Sequence, residues 1–338
     1  MADGRQARRR FQRSAVDKET TPNIALTGDD VSILRLIHQH RLIDSKAIYR
    51  LFPARSEQQL SRRLHILFRR HYIGRPPKQI ELLQPGTGSN HIVYGLDREG
   101  ARFLKERFGL SVKPYHWLQK NNEITRSNIA HTVSTTDFLV NLEVSVRTSK
   151  RARIIHLDEL LAEYAPQATR NATIPDRWSA DINWQGHRGR EGTRPDRVFA
   201  LEYFNLPVGR NRSFFYLEND EGTETIEPGI EPRQLTGFFR KSSILRKFVV
   251  YSFSHTARAH ERHFGFPKPP RILILTNIST RVDSMQTTFK KHFSREPLVI
   301  QPGLFLFADK HQVAKAGAAL LAMPWRNGDG KITHIDDR

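Results

Sequence analysis

The sequence predicts an α+β protein in two parts: an N-terminal winged helix-turn-helix domain, then a larger α/β domain with a central mixed sheet. Before residue 110, helix and strand patterns follow the order of a winged helix. After residue 122, a long amphipathic helix precedes a series of short apolar strands. The 338 residues also suffice for two hydrophobic cores. We expect a disordered basic arm, a winged helix, a linker, an α/β domain and a polar tail over residues 1–26, 27–110, 111–122, 123–325 and 326–338.

The net charge is the strongest compositional signal. Lys and Arg number 54 against 35 acidic residues, which gives a formal charge of +19. A surface with this excess attracts polyanions and releases their counterions on binding, so the charge predicts a DNA partner. A ribosome-associated or merely basic protein would have a similar composition. The arginines of the arm, such as Arg8, Arg9 and Arg10, fit either phosphate contacts or a solvated tail.

Several classes of protein are excluded by what the sequence lacks. It has no cysteine, which excludes disulfides, zinc–thiolate sites and thiol catalysis and fits a reducing compartment. No apolar run approaches the roughly 20 residues of a membrane helix, and the N-terminus lacks the apolar core of a signal peptide. No P-loop, dinucleotide fingerprint or zinc-protease histidine spacing is present. We therefore expect a cytoplasmic protein with no membrane partner.

The N-terminal domain is predicted from three helices and a wing. The helices start near Thr27, at Asp44 and at Ser56, and Ser56 with Gln59 fits a capping box. The third helix carries an apolar stripe at the spacing of a helix packed on one side, formed by Leu60, Leu64, Leu67 and Phe68. Two β-like stretches at 79–83 and 91–96 surround a loop at 84–90, and a helix over 97–108 completes the domain.

This domain is also the predicted DNA reader. Residues 31–80 contain eleven Lys or Arg against two acids. The apolar stripe of the third helix leaves a polar face with the donors that base edges and phosphates accept, namely Gln58, Gln59, Arg62 and Arg63. Basic residues near the wing are predicted to hold phosphates, namely Arg69, Arg70, Arg75 and Lys78. The alternative is a winged helix that contacts protein and whose basic face is solvated.

The second domain is predicted from one long helix and several strands. The helix extends from Thr125 to Val146, and a second helix from Pro232 to Phe253. Strands are predicted at 153–156, 197–201, 213–217 and 271–276, with a β-like pair at 298–300 and 304–307. This order is typical of an α/β domain with a mixed sheet.

Acidic residues lie at the ends of two of these strands. Asp196 opens the strand that starts at residue 197, and Glu218 with Asp220 closes the next one. If the two strands pair, Asp196 and Glu218 converge on one point. Two carboxylates and water suit Mg²⁺, which would activate a water molecule and stabilise phosphate charge. The other interpretation is that these are ordinary strand-end acids.

The layout resembles the PD-(D/E)xK fold of restriction endonucleases and, more narrowly, the replication-relaxation family of plasmid and mobile-element proteins. The resemblance covers about residues 27–310. It depends on the blocks Asn128-Ile-Ala-His131, Asp137-Phe138, Arg194-Pro-Asp-Arg-Val-Phe-Ala-Leu201 and Leu217-Glu-Asn-Asp-Glu-Gly-Thr-Glu224, and on Lys247 with Tyr251. It implies a restriction-endonuclease-like domain and a role in plasmid DNA replication, relaxation or mobilisation. It also implies DNA and relaxosome or replication proteins as partners.

One position departs from the nuclease signature. That signature has lysine two residues after the second acid, where this chain has Asp220. A lysine of the following helix, Lys247 or Lys241, could take its place. The candidate catalytic residues are therefore Asp196, Glu218, Asp220 and Lys247, and Asp196 with Glu218 would hold Mg²⁺. A second Pro-Asp pair, Pro175-Asp176, is a rival for the first acid.

Three functions remain open on this evidence. The first is a DNA-binding factor of plasmid or mobile-element replication without catalysis of its own, and the second is a Mg²⁺-dependent nuclease or nickase. The third is a winged-helix transcriptional regulator. Asp220 at the lysine position favours the first over the second, and the sequence lacks the heptads or dimer helix that would favour the third.

Overall fold

The computed structural model describes residues 24–82, 91–110, 121–229, 235–294 and 298–337. The predicted basic arm up to residue 23, the loop at 84–90 and linker residues 111–120 lie outside the described residues. Two compact units divide the chain between Val140 and Asn141, within the long helix Arg126–Ser149. No helix of the described residues is both long enough and apolar enough to cross a membrane.

Unit 1 combines helices with a small antiparallel sheet. Its strands are ordered β1-β3-β2. Its elements are α1 (Gly28–His40), β1 (Ile43–Asp44), α2 (Ser45–Leu51), α3 (Glu57–Arg69), β2 (Ile73–Gly74), β3 (Val93–Leu96), α4 (Arg98–Phe108) and the first part of α5 (Arg126–Ser149).

Local capping positions the helices of unit 1. The Thr27 side chain accepts a hydrogen bond from the Asp30 backbone N–H, and the Asp30 carboxylate accepts one from the Thr27 N–H. The predicted capping box of Ser56 and Gln59 at the start of α3 is confirmed. The predicted apolar stripe of α3 is also buried, so the sequence spacing determines which face of this helix is exposed.

The predicted strand at 79–83 is wrong. Residues Pro77–Leu82 form a 3₁₀-helix, and β2 is instead the pair Ile73–Gly74, which lies antiparallel to β3. The Gln79 side-chain amide donates to the Val93 carbonyl at 2.9 Å and accepts from the Val93 N–H at 2.7 Å. The Gln79 side chain therefore makes the hydrogen bonds to β3 that the backbone of the predicted strand would have made.

Unit 2 is a mixed α/β unit around a seven-stranded sheet ordered β12-β11-β10-β9-β8-β7-β4. Its elements beyond α5 are β4 (Ala152–His156), α6 (Leu157–Tyr164), α7 (Gln167–Arg170), β5 (Trp178–Trp184), β6 (His187–Thr193), β7 (Arg197–Tyr203), β8 (Arg212–Asp220), α8 (Leu235–Arg240), α9 (Ile244–Thr256), α10 (Ala259–Phe264), β9 (Arg271–Thr276), α11 (Ser279–Phe293), β10 (Phe305–Asp309), α12 (Lys310–Ala316), β11 (Trp325–Asn327) and β12 (Ile332–Thr333).

The seven-stranded sheet confirms the predicted central mixed sheet. Its central strands β8, β9 and β10 are parallel, whereas β4 pairs with β7 and β7 with β8 in antiparallel fashion. The strands predicted at 153–156, 197–201, 213–217 and 271–276 are all present. Because β7 and β8 are antiparallel, the end of β8 lies beside the start of β7. The acidic residues at these two strand ends are thereby brought together.

Two predicted elements of unit 2 are wrong. The helix predicted from Pro232 to Phe253 is divided into α8 and α9, because the Ser243 hydroxyl caps α9 by accepting from the Arg246 N–H at 3.1 Å. Residues 298–300 form no strand, and the Ile300 N–H donates to the Phe293 carbonyl at the end of α11. Because α9 begins directly after Ser243, this break fixes the position of Lys247 near the start of α9.

Two pairs of strands were not predicted. Strands β5 and β6 form a separate two-stranded ribbon, and β11 and β12 extend the central sheet into the predicted polar tail. In that tail, Ile335 is fully buried. The polar composition of both segments hid them, because strands with one solvated face need few apolar residues.

Candidate functional site

Two neighbouring strands bring together Asp196 and Glu218. Strands β7 and β8 pair antiparallel with Arg197 opposite Leu217, and the Asp196 N–H donates to the Leu217 carbonyl at 2.9 Å. The Asp196 carboxylate also accepts from the backbone N–H of Asn219 at 2.8 Å. The first acid is therefore fixed against the strand that carries the second.

Glu218 is the centre of this cluster. Its side chain is buried, with 3 % of the residue exposed. One carboxylate oxygen lies 2.9 Å from the Lys247 ammonium nitrogen, and the other accepts a hydrogen bond from the Tyr251 hydroxyl. Lys247 and Tyr251 are four residues apart on α9, so one helical face supplies both contacts.

Lys247 has a second acidic partner that the sequence analysis missed. Its ammonium lies 3.0 Å from the Glu224 carboxylate, which also accepts from the Ser242 hydroxyl at 2.8 Å. Burial lowers the pKa of Lys247, but the charges of Glu218 and Glu224 outweigh it and the pKa is raised. Lys247 is therefore a firmly charged group held between two carboxylates. Of the two candidate lysines, Lys241 is exposed, and Lys247 is the one that reaches the acids.

The buried surroundings of Glu218 are unfavourable to its ionised form. Burial is the largest cause that raises the pKa of Glu218, and Asp196 raises it as well. Lys247 and Tyr251 only partly oppose this, and the resulting pKa is about 7. A carboxyl group that titrates near neutral pH, in a cluster with a lysine and a second acid, is typical of functional sites.

Asp220 lies on the same strand but has different partners. Arg281 of α11 donates to both of its carboxylate oxygens, at 2.8 and 3.1 Å, and the Thr276 hydroxyl donates at 2.9 Å. Arg281 also donates to the Glu224 carbonyl at 2.8 Å. Asp220 is therefore held by an arginine that anchors the loop after β8, and the sequence analysis did not identify this arginine.

The donor chemistry of the cluster suits a hard divalent cation. Asp196 and Glu218 provide carboxylate oxygens on adjacent strands, which Mg²⁺ prefers. No group of three or more histidine, aspartate or glutamate side chains able to hold a metal ion occurs in the described ranges. A Mg²⁺ ion would therefore depend on these two carboxylates together with water or phosphate oxygens.

The exposed face of α3 contains the predicted base-reading residues. Gln58, Gln59 and Arg62 are all exposed, and the carbonyl oxygen of the Gln59 side chain closes the capping box. Arg62 makes no hydrogen bond or ion pair with the described part of the chain. Two glutamines and an arginine without a partner in the described residues thus lie on the solvent side of α3, opposite its buried stripe.

Two of the predicted phosphate contacts have other partners. The Arg63 guanidinium donates to both carboxylate oxygens of Asp30, one at 2.6 Å, and to the Ala25 carbonyl at 3.0 Å. Arg75 is 8 % exposed, and its guanidinium lies 4.0 Å from the centre of the Phe68 ring. These contacts tie both side chains to the interior of unit 1.

The remaining predicted contacts lie closer to solvent. Arg69 and Arg70 at the end of α3 are partly exposed, and Lys78 in the 3₁₀-helix is exposed. The residues of unit 1 that face solvent with base- or phosphate-binding groups therefore centre on α3 and the segment after it.

Comparison with known proteins identifies the family. Neither the curated proteins nor the solved structures contain a match to the chain. The family model described as replication-relaxation matches residues 34–241, which is more than half of the 338 residues. The matched segment includes Asp196, Glu218 and Glu224, whereas Lys247 lies beyond it. The chain is therefore a member of the replication-relaxation family.

Proposed function

We propose that this protein binds duplex DNA and acts in the replication, relaxation or mobilisation of a plasmid or mobile element. The family membership supports this role. In this proposal unit 1 is a winged helix-turn-helix, with α3 as the helix that enters the major groove, and relaxosome or replication proteins are further partners.

The observation that carries the proposal is the exposed face of α3. The helix buries its apolar stripe and turns Gln58 and Arg62 to solvent. Glutamine can contact adenine and arginine can contact guanine or phosphate in the major groove. Because Arg62 has no partner within the described residues, its guanidinium is available for such a contact.

A binding assay with the full chain tests this role. Fluorescence anisotropy of labelled duplex DNA over a series of salt concentrations should give tight, salt-dependent binding to the unmodified protein. Arg62→Ala should weaken binding, and Gln58→Ala should alter the preference between DNA sequences, by about 1–3 kcal/mol when a base is no longer contacted.

Lys105→Ala is the matched control. Lys105 is an exposed residue of α4 whose replacement also removes one positive charge from unit 1. If Lys105→Ala weakens binding as much as Arg62→Ala, the positive charges of unit 1 attract DNA without regard to position, and α3 is not the recognition helix. If the unmodified protein binds no DNA at low salt, the proposed function is wrong.

A second candidate function is a metal-dependent DNA nuclease or nickase. The proximity of Lys247 to Glu218, with Asp196 on the adjacent strand, supports it. In this proposal unit 2 is a PD-(D/E)xK-like domain whose lysine comes from α9 and not from the strand. Bound Mg²⁺ would supply an activated water, Asp196 and Glu218 would hold the ion, and Lys247 would orient the water and offset phosphate charge.

Incubation of supercoiled plasmid with the protein tests this function. With Mg²⁺ or Mn²⁺ present, we expect nicked or linear product, which Asp196→Asn and Glu218→Gln should abolish while DNA binding persists. Glu106→Gln, which removes one exposed carboxylate of α4, is the matched control and should cut normally. Cutting by Glu218→Gln at the original rate would remove this site from the reaction, and absence of cutting by any form would leave a DNA-binding role alone.

A further inference from the structure

We propose that the outer face of the β5–β6 ribbon is a second DNA-binding surface, which holds a sugar–phosphate backbone through Arg177, Arg188 and Arg190. The proposal rests on the proposed DNA-binding function and extends it to unit 2. The ribbon pairs with no strand of the central sheet, and the side chains on its outer face are exposed.

The ribbon has one apolar face and one polar face. Trp178, Ala180, Ile182 and Trp184 of β5 are buried, and the residues between them are exposed. Antiparallel partners share a face, and β5 pairs Asp181 with Arg190 and Asn183 with Arg188. The exposed face therefore consists of short polar side chains on β5 and arginines on β6.

The three arginines form a row along β6. Arg188 and Arg190 are two residues apart on one strand, which spaces them by about 6.7 Å. Next in the row is Gly192, which has no side chain, and the Arg177 guanidinium lies across it, with Nη2 3.8 Å from the position of a Cβ atom. The Arg177 guanidinium therefore lies beside Gly192, at the end of the row.

These arginines form no ion pair within the part of the protein that the structure describes. Arg177, Arg188 and Arg190 are exposed, and their side chains form no hydrogen bond or ion pair with the described residues. Other arginines of unit 2 do pair with acids, as in Arg153–Glu202, Arg194–Asp176 and Arg326–Asp283. A row of unpaired guanidinium groups on a solvated strand is complementary to a line of phosphates.

Hydrogen bonds to α9 hold the ribbon next to the Glu218 cluster. The Trp178 indole N–H donates to the Ser254 hydroxyl of α9 at 3.1 Å, and Arg246 of α9 donates to the Gly192 carbonyl at 3.0 Å. At its tip, Gln185 and Gly186 have φ of 48° and 87°, as a two-residue type I′ turn requires. Helix α9 thus positions both Lys247 and the base of the ribbon, and β6 ends three residues before Asp196.

The arginine row therefore leads along β6 toward the first acid of the cluster. DNA bound on this face would be guided to Asp196 and Glu218, whereas α3 of unit 1 would select the sequence.

Salt-dependent binding of duplex DNA to the full chain with Arg188→Ala and Arg190→Ala tests the proposal. We expect weaker binding and a shallower salt dependence, with the slope reduced by about 0.9 for each phosphate that is no longer neutralised. Arg262→Ala with Lys290→Ala is the control, since both residues are exposed in unit 2 and the change in charge is the same. Asp181→Asn should have the opposite effect and tighten binding, because it removes an acid from the outer face.

The outcomes separate this inference from the proposed function. If the unmodified protein binds DNA, Arg62→Ala weakens it and the ribbon variant equals its control, the ribbon is not a DNA surface although the protein binds DNA. If no form binds, both proposals are overturned. Unchanged fluorescence of Trp178 and Trp184, which form part of the buried face of the ribbon itself, would show that the variant is folded.

Discussion

Each unit contains a buried acid paired with a basic side chain, and the two acids differ in their titration. Asp30 in unit 1 accepts from Arg63 through both oxygens and from the Thr27 N–H and hydroxyl at 2.7 and 2.8 Å. Burial raises the pKa of Asp30, but these hydrogen bonds outweigh it and the pKa is lowered. Burial raises the pKa of Glu218 in unit 2 to about 7.

Burial is the largest influence on the pKa of both carboxylates, and the difference lies in the groups that oppose it. Asp30 is the one acid that pairs with Arg63 in the described residues, whereas Glu218 shares Lys247 with Glu224 and lies near the like charge of Asp196. The first pair is a satisfied structural contact and the second has an excess of negative charge. Such an excess is what a site for a cation or a phosphate-bound metal would need.

The largest effect on stability should come from removing Lys247, the cation that pairs with Glu218. Lys247→Met leaves Glu218 buried without a counter-charge, and we expect a loss of about 3–5 kcal/mol in the free energy of unfolding. Urea unfolding followed by tryptophan fluorescence measures it, because Trp178, Trp184 and Trp325 all lie in unit 2.

The double variant Lys247→Met with Glu218→Gln is the control for this change. It should recover much of the lost stability, because neutral glutamine needs no counter-charge. Equal instability of the single and double variants would attribute the loss to packing of the lysine stem and not to charge.

Breaking the Asp30–Arg63 pair should cause a smaller loss of stability. Asp30→Asn removes the charged acceptor of Arg63 and should cost about 2 kcal/mol, seen as faster hydrogen exchange in α1 and α3. Asp29→Asn, which breaks the exposed pair with Arg55, should cost less than about 1 kcal/mol. Equal losses of stability in Asp30→Asn and Asp29→Asn would contradict a special role of the buried Asp30–Arg63 pair.

The two acids should also give opposite pH dependences. The folded protein holds the Glu218 proton more tightly than the unfolded chain does, since the pKa is raised from 4.5 to about 7. Unit 2 should therefore lose stability as the pH rises between these values. The pKa of Asp30 is lowered from 3.8, so its contribution is present at higher pH and is lost only as the pH falls below that value.

Urea unfolding in the absence of divalent metal, at about pH 5 and about pH 8, measures the first of these effects. Glu218→Gln should remove the decrease, and the difference between the two proteins cancels the titration of histidines such as His255 and His260. If the decrease in stability persists unchanged in Glu218→Gln, groups other than Glu218 cause it.

The smallest effect should come from a hydroxyl group. Tyr251→Phe removes the O–H donor to Glu218 and should cost about 1 kcal/mol at neutral pH. Tyr216→Phe is the matched control, because the Tyr216 hydroxyl is buried without a hydrogen-bond partner in the described structure, so its removal should cost nothing or stabilise. Equal losses in the two variants would argue against the Tyr251–Glu218 bond as a contributor.

Local sequence patterns predicted much of this fold. The stripe from Leu60 to Phe68 placed α3, and the apolar run of β9 placed a central strand, because periodicity reports directly which side of an element is buried. The ribbon was not predicted, since its β6 half is rich in glycine and arginine and resembles a loop.

The sequence by itself determined the charge, the absence of cysteine, the order of the main elements and the acids at the strand ends. Tertiary structure alone decided that Lys247 and not Lys241 reaches Glu218, that Arg281 holds Asp220 and that Arg63 and Arg75 are held within unit 1. Each of these depends on which distant side chains meet. Side-chain pairing across elements follows from strand register and helix packing, which no local pattern specifies.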